Sequence, residues 1–263
     1  MPLINADDWG LSPGINEGIL DLSRRGIVRR VSILAAGSFV DEGLAELKTL
    51  PAVTLGLHFS LTLGKTGLGD QIRTLARGGS FHLPPSRVAL LYLLAGPRKR
   101  KQLDEEVRLA LREQLAALKA RAVRPGYLDG HHHIHLVPGI MEAMLPVLRE
   151  AGIAQVRVPW VPSRILSRVS PVVLLALRAR LRWRRWGLTS LPCLYPGAGD
   201  YREESRLRRI AERAEGYEVV VHPAARDDVR ELNIADHYVG DRVREYQALR
   251  SLEPLFSRGR EPA

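Results

Sequence analysis

Four short apolar runs in this chain each end in an acid or a histidine: LINADD, VTLGLH, YLDGHHH and EVVVH. This punctuation constrains the fold more than any other feature. Runs of four to six apolar residues are strand-sized, and a polar cluster right behind each one marks a strand end. Residues 2–6, 53–57, 126–128 and 218–221 are therefore strand candidates, followed by Asp7-Asp8, His58, His131 and His222. Further strands are expected at 31–35 and 156–158. Helices are expected at 12–25, 39–50, 103–121, 139–151, 201–215 and 239–252. Ser12 followed by Pro13 is a helix start, with serine as the cap and proline at the first helical position. Alternating strands and helices imply a parallel sheet with helical crossovers, so the fold class is α/β. In α/β barrels the site gathers at the carboxyl ends of the strands, where these polar clusters fall.

No internal repeat or clear linker interrupts the chain. At 263 residues it can bury one large core, and the expectation is a single domain over 1–263 with a basic insertion or lid at about 163–200. Residues 64–85 hold five glycines and two prolines and read as a long loop. The run PRKRK at 97–101 reads as a solvated loop before the helix that follows.

Composition decides what could hold an ion. Cys193 is the one cysteine, which excludes an intrachain disulfide and a thiolate cluster and leaves nitrogen and oxygen ligands. The beginning MPLINADDWG lacks the basic-then-apolar order of a signal peptide, and no apolar run is long enough to span a bilayer. A cytoplasmic location is expected. The net charge of +10 fits an anionic partner or an arginine-rich genome equally well.

Half of the eight histidines lie near one place, with four of them in DGHHHIH at 129–135. As extended chain, this run would put Asp129, His131, His133 and His135 on one face and His132 on the other. Two or three of them at most can converge on one ion. A neighbouring carboxylate such as Asp129 suits the role of orienting a ligand imidazole. Taken singly, the Asp7-Asp8 pair is as well explained by an Asx-turn, and His58 or His222 by a structural histidine. His82 is a solvated side chain on this reading.

The motifs NADDWGLS, GLHFSLT, YLDGHHHIHLVPG, VRVPW and VVVHPA, in this order, resemble the YdjC/ChbG family of carbohydrate deacetylases, including its HpnK-type members associated with hopanoid biosynthesis. The resemblance spans residues 3 to about 252. It implies a (β/α) barrel-like fold, distorted or incomplete as in polysaccharide deacetylases. It also implies a metal-dependent hydrolase that removes acetyl from an N-acetylated amino sugar or glycoconjugate, free or lipid-linked. Matched residue by residue, the family pattern makes Asp8, His58 and His131 the metal ligands, Asp7 the catalytic base and His222 the general acid. Arg157 supports the site, and Trp160 in VRVPW joins Asp129 as a supporting or substrate-binding residue. The ion is expected to be divalent, zinc or magnesium. Two departures stand out: Gly130 where members often have serine, and HPAA where they often have HPG.

The segment 163–192 carries seven arginines with Trp183 and Trp186. It is expected to be either an insertion with a solvated arginine face or a lid that meets anionic lipid, with the tryptophans at headgroup level. Peripheral contact at the inner membrane surface and a homodimer are further expectations, while no specific nucleic-acid motif is present. Two other readings remain open on the sequence: another metal-assisted amide or ester hydrolase, and a non-catalytic membrane- or nucleic-acid-binding protein.

Overall fold

The computed structural model describes residues 1–158, 182–194, 208–210, 212, 214–232 and 240–257. Its elements are β1 (Leu3–Trp9), α1 (Pro13–Arg24), β2 (Val28–Ile33), α2 (Leu44–Leu47), β3 (Thr54–Phe59), β4 (Ala76–Arg77), β5 (Ser80–Phe81), α3 (Pro85–Leu94) and α4 (Pro97–Ala120). They continue with β6 (Leu128–Gly130), α5 (Ile140–Glu150), β7 (Cys193–Leu194), β8 (Glu218–Val221), α6 (Asp241–Ser251) and α7 (Glu253–Ser257). In one compact unit four strands share a sheet in the order β2-β1-β8-β7; in the other β3 pairs with β6, and β4 and β5 form a separate antiparallel hairpin. The pairs β1-β2, β1-β8, β7-β8 and β3-β6 are all parallel. This is the expected α/β class. The helix expected at 201–215 lies largely outside the described residues, as does most of the segment 163–200.

The described residues form two compact units. The first comprises 1–33, 39–55 and 191–263. At its centre Ile4 pairs with Val28 on one side and Val219 on the other, and all three side chains are buried. In α1, Ser12 Oγ accepts a hydrogen bond from the Ile15 amide at 3.3 Å, and Pro13 occupies the first turn as expected. Ile15, Ile19 and Leu22 recur on one face at helical spacing and are fully buried. Tyr246 of α6 and Glu253 of α7 bond Asp21 and Arg25 at the far end of α1.

The helix expected at 39–50 shrinks to the single turn of α2. The reason is competition for carbonyls: Phe39 and Glu42 accept from the Asn16 side chain, and Val40 accepts from the Trp9 indole. A backbone held by these side chains forms turns at 39–43 instead of a helix ladder.

The second unit comprises 34–38 and 56–190. Leu57, His58 and Phe59 of β3 pair in parallel with Leu128, Asp129 and Gly130 of β6. Beyond β6 the strand expected at 156–158 is reduced to bridges, Leu128 with Val156 and Gln155 with Thr189. The stretch 64–85 is more ordered than a loop. It contains the β4-β5 hairpin, closed by Gly78-Gly79 with φ of 58° and 74°, the positive values a tight hairpin turn needs.

Helix α4 begins at Pro97, not at Leu103, so the basic run 97–101 is helical rather than a solvated loop. Pro97 suits the first turn, Lys99 bonds Thr74 at 2.8 Å, and Arg100 pairs with Asp104 at 3.3 Å. No helix in the described residues is long and apolar enough to cross a membrane.

Candidate metal centre

Strand alternation places neighbouring side chains on opposite faces, so Asp7 and Asp8 should diverge. They do not simply alternate. The register of β1 against β2 shifts between Ala6 and Trp9, and Asp8 has a φ of 72°. Such an irregularity at a strand end re-aims a side chain. Both carboxylates are buried. Asp7 Oδ1 accepts from Asn5 Nδ2 at 2.7 Å, and Asn5 also donates to Ser32 Oγ at 3.0 Å. The other oxygen of Asp7 lies 4.0 Å from His222 Nε2. Asp8 Oδ2 accepts from Arg242 Nη2 at 2.7 Å, and Arg242 Nη1 donates to the His222 carbonyl at 3.3 Å.

Arg242 is thus a member of the site that the sequence did not reveal. It sits in a charged helix, DRVREYQALRS, where an arginine reads as one more solvated side chain. Burial of its side chain to 3% exposure shows otherwise.

His58 lies inside β3, one residue from its end, opposite Asp129 in the β3-β6 register. Its Nδ1 is 2.6 Å from Asp129 Oδ1, and Asp129 Oδ2 is 2.6 Å from Arg157 Nη2. All three side chains are buried. A carboxylate on Nδ1 holds the proton there and leaves the Nε2 lone pair for a metal.

The histidine run does not continue as extended chain. After Gly130 it coils into a 3-10 segment over His131–Leu136, with His132 and His133 at φ of 53° and 55°. The expected common face for His131, His133 and His135 is therefore wrong, because coiling destroys the two-residue period. His131 is buried and packs edge-on to His58, with ring centroids 5.4 Å apart. His132 reaches Thr62 Oγ1 at 3.0 Å, and His133 is half-buried. His135 is fully buried and its Nε2 bonds the Arg157 carbonyl at 2.9 Å, so Arg157 is held at both ends. Burial pushes the His135 pKa down to about 4.

Gly130 has a clear physical role. A Cβ there would stand 2.4 Å from His135 Nδ1, so the missing side chain makes room for the imidazole. His82 is exposed, as expected. Of the two readings of the basic segment, the one that put Trp183 at a lipid headgroup does not hold, since Trp183 is buried with its ring 6.0 Å from that of His135. Arg182 pairs with Glu142, while Arg184 and Arg185 are exposed. Trp160 lies outside the described residues.

In the first unit Asp8 offers a buried carboxylate, and in the second unit His58 and His131 offer buried imidazoles. Asp129 is not needed as a ligand, because both its oxygens already serve His58 and Arg157. One carboxylate and two imidazoles are a donor set that fits a divalent cation.

The fold is α/β, and its buried Asp8 carboxylate and His58 and His131 imidazoles are side chains of the types that bind divalent metals. The chain belongs to the YdjC-like protein family, whose model matches residues 3–254. Among solved structures it is similar to an Enterococcus faecalis V583 protein provisionally named for cellobiose-phosphate cleavage. The two are 21% identical over 97% of this chain and 94% of that one, with a TM-score of 0.69. That likeness concerns the fold. A lactam utilization protein from Thermus thermophilus is 15% identical, over 95% of this chain and 97% of that one, with a TM-score of 0.46. A family 4 carbohydrate esterase from Streptomyces lividans, in complex with acetate, is 10% identical over 96% and 88%, with a TM-score of 0.34. Likenesses this distant carry no weight for function.

Proposed function

We propose that this protein is a metal-dependent hydrolase of the carbohydrate-deacetylase type, acting on the N-acetyl group of an amino sugar or glycoconjugate. Family membership supports the hydrolase class. The observations that carry the mechanism are the buried Asp8 beside the Asp7–His222 pair in one unit, and the buried His58 and His131, with rings in edge contact, in the other. Asp8, His58 and His131 are the proposed ligands. Two imidazoles favour zinc or a similar borderline ion over magnesium, which prefers oxygen. A bound divalent ion would supply Lewis acidity, lowering the pKa of water and polarising an amide carbonyl.

The remaining roles belong to side chains. Asp7, held by Asn5, takes the proton from the attacking water. His222, near the other oxygen of Asp7, protonates the departing amine, which cannot leave as an anion. Asp129 and Arg157 act through His58: they fix its tautomer and ring orientation without touching substrate.

Acetate release from N-acetylhexosamine oligomers, with and without chelator, tests this reading. Release that stops with chelator and returns with zinc is expected. Asp7→Asn should bind metal and lose turnover, whereas His131→Ala should lose the metal. Chelator-insensitive release, or an active Asp7→Asn variant, would refute the assignment.

A further inference from the structure

Helix α3 presents an unusual surface. Of the large hydrophobic side chains exposed among the described residues, Leu90 (49%), Leu93 (80%) and Leu94 (72%) all lie on it. Their spacing of three and four residues puts them on one face, one turn beyond the exposed Arg87. Val88 and Tyr92, four apart, form the opposite, buried face. The helix is anchored by that buried face, which leaves its leucines facing outward. Arg100 stacks over the Tyr92 ring at 4.7 Å and bonds the Tyr92 carbonyl, and α3 packs against the turn that carries His131. Contiguous outward leucines are uncommon on a soluble surface and mark an interaction site.

The charge around these leucines says what covers them. Residues 85–101 contain no acid and five cations, Arg87, Arg98, Lys99, Arg100 and Lys101. Lys99 and Arg100 are engaged with Thr74 and Asp104, but Arg87, Arg98 and Lys101 are exposed. The next acids along α4, Asp104 and Glu105, are paired with Arg100 and Arg108. Leucines flanked by exposed cations match a surface that is apolar below and anionic above.

We propose that the outward face of α3, with Arg98 and Lys101 at the start of α4, docks this protein on an anionic lipid bilayer. The leucines enter the headgroup boundary and the cations meet lipid phosphates. Because α3 rests on the His131 turn, docking would bring a membrane surface next to the proposed centre.

Co-sedimentation with phosphatidylcholine vesicles, with and without phosphatidylglycerol, tests the proposal, with folding of each variant checked by circular dichroism and thermal melting. Wild-type protein should prefer the anionic vesicles and release in high salt. Each cation near an anionic leaflet contributes about 1 kcal/mol, so Arg98→Ala with Lys101→Ala should weaken binding roughly thirtyfold. Leu93→Gln with Leu94→Gln should weaken it at least about tenfold. Arg184→Ala with Arg185→Ala should bind like wild type. Absence of anionic preference, retention by the α3 and α4 variants, or loss through Arg184 and Arg185 would each overturn the proposal. So would a wild-type dimer in light scattering that Leu93→Gln with Leu94→Gln dissolves, since that assigns the face to a second copy. The vesicle readout needs no turnover, so its failure leaves the proposed hydrolase unaffected.

Discussion

Replacing Asp129 by Asn should be far more costly than its single-atom change suggests. The carboxylate is fully buried and receives two donors, His58 Nδ1 at 2.6 Å and Arg157 Nη2 at 2.6 Å. An amide has one acceptor oxygen and one NH2 group, so it can accept from only one of those donors and must turn a donor towards the other. Arg157, 2% exposed in its side chain, then keeps its charge without the carboxylate. Breaking a buried ion pair in this way costs about 3–5 kcal/mol, a large share of a total stability of roughly 5–15 kcal/mol. In a chain of this size the melting temperature should fall on the order of 10 °C. Zinc affinity should drop about 10- to 100-fold, because His58 loses the group that orients it. Urea titrations in chelator measure the first effect and competition with a zinc indicator the second. Adding Arg157→Met removes the stranded cation, so the double variant should be more stable than Asp129→Asn alone. A loss below about 1 kcal/mol, or strictly additive effects, would refute a coupled Asp129–Arg157 support.

Other perturbations separate the remaining contacts. Gly130→Ser should destabilise the protein by about 1–3 kcal/mol, since its Cβ would meet His135 Nδ1 at 2.4 Å, and denaturant midpoints would register the change. His135 has its pKa lowered from 6.5 to about 4, so below pH 6.5 the unfolded chain binds a proton that the folded one refuses. Stability from this group is therefore complete above pH 6.5 and is lost as pH falls towards 4, by about 3 kcal/mol; urea midpoints across this range should change less in His135→Gln. Arg242→Met leaves the buried Asp8 carboxylate without its guanidinium, so the metal-free protein should melt lower, while added zinc should raise its melting temperature more than it raises that of wild type.

Much of the site can be read from the chain because strand ends are local features. The runs before Asp7, His58 and His222 are apolar and strand-sized; His222 directly follows β8 as expected, while β1 and β3 run past Asp7 and His58 by two residues and one. Gly130–Leu136 shows the limit. Alternation presumes extended backbone, and four histidines with Ile134 and Leu136 carry no signal for where the chain begins to coil. Helix α3 escaped notice for a related reason: VALLYLL is apolar on every face, so it has no helical period to detect.

By itself, then, the sequence determined the parallel α/β class, the Ser12 cap and the delivery of Asp7, Asp8, His58 and His222 to strand ends. Each rests on spacing within a few residues. Only the tertiary structure decided that Asp129 joins His58 to Arg157, that Arg242 lies on Asp8, and that His135 occupies the space beside Gly130. Asp129 lies 71 residues from His58, and Arg242 lies 234 residues from Asp8. A charged side chain carries no local mark of burial, and its partner is set by which strands and helices pack side by side.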